Sequence, residues 1–108
     1  MKLNNWMSEI DGKRDLLTLS IPGTHDCVTK FVQFEHISKT QDLTIAEQLN
    51  LGIRALDIRV ESRGEALKMV HAFAKAFPTA NKFGKQMDLD FVLNQCYDFL
   101  LENPSETI

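Results

Sequence analysis

The chain has 108 residues, 44% of them hydrophobic, a formal charge of −3 and few Gly or Pro. These values describe one soluble globular unit and argue against a disordered chain. No apolar run approaches the length needed to cross a bilayer, and the twelve Lys and Arg, scattered among fifteen acids without a basic stripe, give no support to a nucleic-acid partner.

Cys27 and Cys96 are the only cysteines. Their separation fits neither a disulfide scaffold nor a metal-ligand spacing. Cys27 follows His25 and Asp26, yet adjacency in sequence is not the geometry of a thiol nucleophile, and the expectation is a buried or half-buried small side chain. No charged n-region followed by an apolar h-region opens the chain, as would also hold for a secreted protein in mature form.

In chain order, Asn4 or Asn5 can cap a short helix with Trp6, Met7 and Ile10 on its apolar side and Gly12 as its stop. Leu16 to Ile21 reads as a first, buried strand. It breaks at Pro22-Gly23 and presents Thr24, His25 and Asp26 on the turn beyond, where a rigid scaffold commonly displays reactive groups. Residues 28 to 42 hold neither the helical nor the strand period and read as an irregular loop with one helical turn. His36 within it is expected at the surface or half-buried, without a catalytic role.

Thr44-Ile45-Ala46-Glu47 is a capping box, and Ile45, Leu49 and the Gly52 stop complete a short helix. The second strand, 53 to 60, alternates so that Ile53, Ala55, Asp57 and Arg59 share one face and Arg54, Leu56, Ile58 and Val60 the other. Asp57 and Arg59 thus fall at the C-terminal end of a largely apolar strand, which is where catalytic side chains sit in an α/β barrel. Their opposite charges lower the cost of placing both at the rim. Residues 61 to 65 read as a turn. Ala66 to Val70 is a short strand ending in His71, a second histidine at a strand end. Residues 72 to 86 read as a strand-to-helix connection, broken at Pro78. Asp88 can cap a last helix with Leu89, Val92, Cys96, Phe99 and Leu100 as its buried stripe, ending near Asn103-Pro104.

Two histidines, a carboxylate beside one of them, and an Asp-Arg pair suit displacement at phosphorus without a metal. One imidazole can take a proton from an attacking hydroxyl, and the other can give one to the leaving oxygen. An arginine fork neutralises the nonbridging phosphate oxygens, and a carboxylate orients a histidine and raises its basicity. A His-Asp metal site competes for the same groups, and Arg59 beside Asp57 disfavours a cation there.

Asn5-Trp6-Met7, Leu19-Ser20-Ile21-Pro22-Gly23-Thr24-His25-Asp26, Gly52 to Arg59 and Asn103 to Ile108 together resemble the bacterial phosphatidylinositol-specific phospholipases C. The resemblance implies that residues 1–108 are the N-terminal part of the catalytic domain, an irregular α/β TIM-type barrel left incomplete in this chain. It also implies that His25 is the general base for the inositol 2-hydroxyl. His71 is the general acid for the diacylglycerol oxygen, assisted by Asp26. Arg59 holds the phosphate, and Asp57 tunes the charge around it. The expected products are diacylglycerol and inositol 1,2-cyclic phosphate, with no cofactor and no metal, in a secreted protein acting on phosphatidylinositol at a membrane surface. In the family the second histidine is normally followed by glycine, and here Ala72 follows His71. The aspartate supporting the base and the inositol-binding residues come from later strands than this chain contains. Three or four strands cannot close a barrel, so the open edges invite self-association. A phosphate-binding fragment without turnover, a metal-dependent phosphodiesterase and an inactive structural fragment are the competing readings.

Overall fold

The computed structural model describes all 108 residues, Met1 to Ile108. Strands β1 (Gly23–Thr24) and β2 (Ala55–Leu56) pair in parallel, with Gly23 opposite Ala55 and Thr24 opposite Leu56. Strands β3 (Val60–Arg63), β4 (Ala66–His71) and β5 (Ala74–Lys75) form a separate antiparallel sheet in that order. Helices α1 (Glu35–Ser38), α2 (Ile45–Asn50) and α3 (Leu89–Glu102) complete an α/β arrangement, with short 3-10 segments at Leu3–Glu9, Leu16–Thr18 and Thr29–Phe31. No helix is long and apolar enough to cross a membrane.

The two best-formed helices follow from their caps. The Thr44 side chain accepts from the Glu47 N–H while Glu47 reaches back to the Thr44 N–H, the reciprocal bonding of a capping box. At the head of α3 the Asp88 carboxylate accepts from the Phe91 N–H at 2.9 Å. Each helix then turns one stripe inward. Ile45 and Leu49 of α2 meet Val92, Cys96 and Phe99 of α3 in a core completed by Cys27, Val28, Met69, Ala76 and Met87. Leu89 and Leu100 border this core half-buried.

The expected strand over Leu16 to Ile21 does not form. Asp15 caps a 3-10 turn there by accepting from the Leu17 N–H at 2.9 Å, and Leu17 is 92% exposed. A side chain competing for the local backbone overrides the apolar run, so pairing begins only at Gly23. Gly23 is required by this approach, since a Cβ would stand 3.0 Å from that of Ala55. The strand expected over 53 to 60 also divides. Its two ends join different sheets, β2 and β3, and the Asp57 to Arg59 stretch lies between them.

The turn expected over 61 to 65 narrows to Gly64–Glu65, because Glu61–Arg63 pair with β4. Gly64 takes a positive φ of 63° there. At the N-terminus the segment Leu3–Glu9 is 3-10, kinked at Asn5, and no side chain caps it; Asn4 instead donates to Asn103 across the fold at 3.1 Å. The loop over 28 to 42, expected to hold one helical turn, holds two short ones, the 3-10 turn Thr29–Phe31 and α1.

Arg54 links these parts at the base of the molecule. Its side chain and that of Glu106 are both wholly buried, with Nη2 to Oε1 at 2.8 Å. Arg54 also donates to the carbonyls of Leu49, Ile53, Leu3 and Asn4 and lies over the Phe99 ring at 4.5 Å. One guanidinium therefore fastens the first segment, the end of α2, the start of β2 and the last residues together. That fixes the base from which β2 carries Asp57 toward the site.

Candidate active site

His25 and Asp26 lie immediately after β1, and Asp57 lies immediately after β2, so the parallel pairing of two short strands brings the three together. The Asp57 N–H donates to the Thr24 carbonyl at 3.3 Å, and the Asp57 carbonyl accepts from the Cys27 N–H at 3.3 Å. Arg59 follows two residues later. His71 arrives on β4, which the antiparallel pairing with β3 folds back beside it. All five residues singled out in the sequence, His25, Asp26, Asp57, Arg59 and His71, converge.

The centre of the cluster is the Asp26 carboxylate, 2% exposed. Its Oδ2 lies 3.1 Å from Nε2 of His25 and 3.1 Å from Nε2 of His71. Its Oδ1 lies 2.8 Å from Nε of Arg59. None of these three neighbours is aligned for a good hydrogen bond to it. Asp26 is thus an anion among three cationic or potentially cationic groups, held by charge more than by directed bonds.

Asp57 is held by directed bonds. It accepts from the Asp26 main-chain N–H at 3.1 Å, and from Arg59 at 3.2 Å through Nε and 3.1 Å through Nη2. These bonds, with Arg59 the strongest, pull its carboxyl down to about 2. Nδ1 of His25 faces the same carboxylate at 3.0 Å. With Asp26 at Nε2, both ring nitrogens of His25 therefore face carboxylates. His25 is 61% exposed at its side chain, open to a substrate.

The main chain of the dipeptide is also held. Asp26 adopts a positive φ of 45°, a strained conformation for a non-glycine residue. Gln41 donates to the His25 carbonyl at 2.8 Å, and the Thr40 hydroxyl lies 3.0 Å from that carbonyl and 3.2 Å from that of Asp26. Thr29 in turn accepts from the N–H groups of Thr40 and Gln41. The buried Gln48 side chain of α2 contacts Thr24 and the Cys27 carbonyl on either side of the dipeptide.

Sequence reasoning missed these supports. Thr40 and Gln41 lie in the aperiodic loop, where no pattern marks them. Gln48 carried a signal, since it is a polar residue on the stripe shared by Ile45 and Leu49.

Cys27 is wholly buried and its thiol donates to the Asp57 carbonyl at 3.3 Å. Burial first, and the nearby carboxylates second, push it up to about 12, which removes it as a nucleophile at neutral pH. His36 is exposed on α1 and makes no contact with the cluster. Ligand atoms of His25, Asp26 and Asp57 lie within 4.8 Å of one another, close enough for a divalent cation. Arg59 forms ion pairs with both of those carboxylates, so its charge already offsets the charge a cation there would neutralise.

No protein-family model matches the chain. It is 33% identical over 108 residues to the 1-phosphatidylinositol phosphodiesterase of Listeria monocytogenes, a match covering 95% of this chain and 30% of the relative. It is 34% identical over 71 residues to the 1-phosphatidylinositol phosphodiesterase of Staphylococcus aureus, covering 62% of this chain and 22% of the relative. Among solved structures it superposes on two variants of the phosphatidylinositol-specific phospholipase C of Staphylococcus aureus. Both give a TM-score of 0.85, at 26% and 27% identity; 99% of this chain is covered in each case, and 33% and 34% of those chains. The chain spans about a third of the length of these relatives. In sequence and in fold, the chain is therefore similar along nearly its whole length to a part of the bacterial phosphatidylinositol-specific phospholipases C, the resemblance its motifs carry.

Proposed function

We propose that the chain is the N-terminal part of a metal-independent phosphatidylinositol phosphodiesterase, built on an incomplete (β/α) barrel. The observation that carries the reading is the buried Asp26 carboxylate placed 3.1 Å from both His25 and His71. A carboxylate shared in this way supports one neutral and one protonated imidazole, the pair that a displacement at phosphorus needs. With Asp26 and Asp57 ionised, Arg59 charged and one imidazolium, the cluster is electrically neutral before the phosphodiester arrives.

His25 takes the proton of the inositol 2-hydroxyl, whose oxygen attacks the adjacent phosphorus. The resulting imidazolium is flanked by Asp57 at Nδ1 and Asp26 at Nε2. His71 gives a proton to the diacylglycerol oxygen as the P–O bond breaks. Asp26 engages Nε2 of His71, so Nδ1 is the nitrogen left to face the leaving group. Arg59 keeps Nη1 free of protein partners, and its two N–H groups are available to the nonbridging oxygens. The products are diacylglycerol and inositol 1,2-cyclic phosphate.

The substrate follows the names of the relatives, and membrane encounter and secretion follow the family resemblance; all three belong to the same proposal. So does pairing of the open sheet edges with further strands or a second copy. The test is product identity. Phosphatidylinositol vesicles incubated with the chain should yield a 31P resonance of the five-membered cyclic phosphate before any inositol monophosphate. Direct release of the monophosphate would overturn the mechanism. Binding of inositol phosphate without any cleavage would favour the phosphate-binding alternative.

A further inference from the structure

The geometry points to Gln48, acting with Thr24, as a positioning residue that fixes the His25–Asp26 dipeptide for proton transfer, an inference that rests on the function proposed above. Gln48 is 2% exposed on the inward side of α2, where an unpaired amide is costly. Its amide is fully used. Oε1 accepts from the Thr24 hydroxyl at 2.6 Å, and Nε2 donates to the carbonyls of Cys27 at 2.8 Å and Leu43 at 2.9 Å. Thr24 and Cys27 are the residues on either side of His25 and Asp26. One side chain therefore grips both ends of the dipeptide.

The contacts have a fixed sense. The Thr24 hydroxyl donates to the amide oxygen, which turns both amide N–H groups toward the two carbonyls. Glutamate at this position would set a second oxygen against those carbonyls, so size alone does not satisfy the site. α2 does not need these bonds to form. It has its capping box, and Ile45 and Leu49 bury its apolar stripe. The Asp26 backbone does need restraint, since a non-glycine residue stays at φ 45° only where its surroundings over-determine it. An error of about 1 Å in a catalytic side chain costs roughly a hundredfold in rate.

The test compares the chain with Thr24→Val, Thr24→Ser and Gln48→Glu by amide hydrogen exchange and by phosphatidylinositol cleavage. Thr24→Val keeps the side-chain shape and removes only the hydroxyl. In Thr24→Val, exchange of the Asp26 and Cys27 N–H groups should rise about tenfold while that of Val92 to Phe99 in α3 stays within about twofold, the signature of local loosening. Thr24→Ser should restore protection, and in folded Gln48→Glu both amides should loosen further. In cleavage, kcat should fall about tenfold in Thr24→Val with KM little changed. Equal loosening of α3 and the dipeptide, or unchanged Asp26 and Cys27 exchange in Thr24→Val, would overturn the inference. A parent chain that leaves phosphatidylinositol intact would sink the proposed function instead, because the exchange measurement reads the dipeptide without substrate.

Discussion

Asp57 meets His25 at 3.0 Å at Nδ1, while Asp26 lies 3.1 Å from Nε2 of the same ring. In the resembled family support for this histidine comes from an aspartate late in the barrel. In this chain Asp57 stands at the same ring, bound at once by Arg59 and by the Asp26 N–H. Those bonds keep Asp57 ionised down to about 2. Replacing Arg59 with Leu removes the largest of them. Followed by 13C NMR, the Asp57 carboxyl should then titrate closer to the ordinary aspartate range, whereas an unchanged midpoint near 2 would show that Arg59 is not the cause.

The same carboxylate links folding to pH. A carboxyl lowered in the folded state contributes stability above its unfolded value, and that contribution is lost as pH falls through the folded value. For Asp57 the window runs from about 4 down to about 2. Glu106 adds to it: burial alone would raise this carboxyl, but bonds from Ser105, Arg54 and the Met7 N–H outweigh it and lower it. The melting temperature should therefore fall on acidification below the ordinary carboxyl range, and fall less in Asp57→Asn.

Glu106 also anchors the base of the fold. Glu106→Ala would leave the Arg54 guanidinium buried without its anion, at a cost of about 3–5 kcal/mol. Urea unfolding would show this as a much lower midpoint. A loss below about 1 kcal/mol would mean that the carbonyls around Arg54 suffice.

Ala72 occupies the first place of the two-residue turn between β4 and β5, at φ 50°. A turn of this length calls for positive φ at that place, which suits glycine. Ala72→Gly should relieve a strain of about 1 kcal/mol and raise stability despite the added freedom of the unfolded chain. His71 precedes this turn, so the gain should come without loss of the His71–Asp26 contact. A destabilised Ala72→Gly would contradict this account of the turn.

Cys27 gives a simple chemical check. Buried and pushed up to about 12, it should resist a thiol reagent at pH 8 until the protein unfolds. Rapid modification in the native state would return it to the set of candidate nucleophiles.

The site was more legible in the sequence than the elements that carry it. Caps made α2 and α3 readable, since Thr44, Glu47 and Asp88 encode their bonds locally. The five site residues stood out because polar groups broke apolar strands at their ends. The strand over Leu16 to Ile21 misled because Asp15 captured the backbone, an interaction that hydrophobic pattern does not register. The division of residues 53 to 60 depends on two sheets diverging around Asp57, which no local period encodes. Thr40 and Gln41 act only through contacts made across the fold, and Arg54, placed on the apolar face of its strand, found its partner Glu106 at a separation that spacing could not reveal.

The most direct test of the central claim is cleavage of phosphatidylinositol vesicles by the chain, by His25→Ala and by His71→Ala, each with and without a chelator. Cleavage by the parent chain that is indifferent to chelator, and a loss of about a hundredfold or more in either variant with an unchanged thermal melt, is the predicted result. Turnover retained without either histidine, or abolished by the chelator, would contradict it.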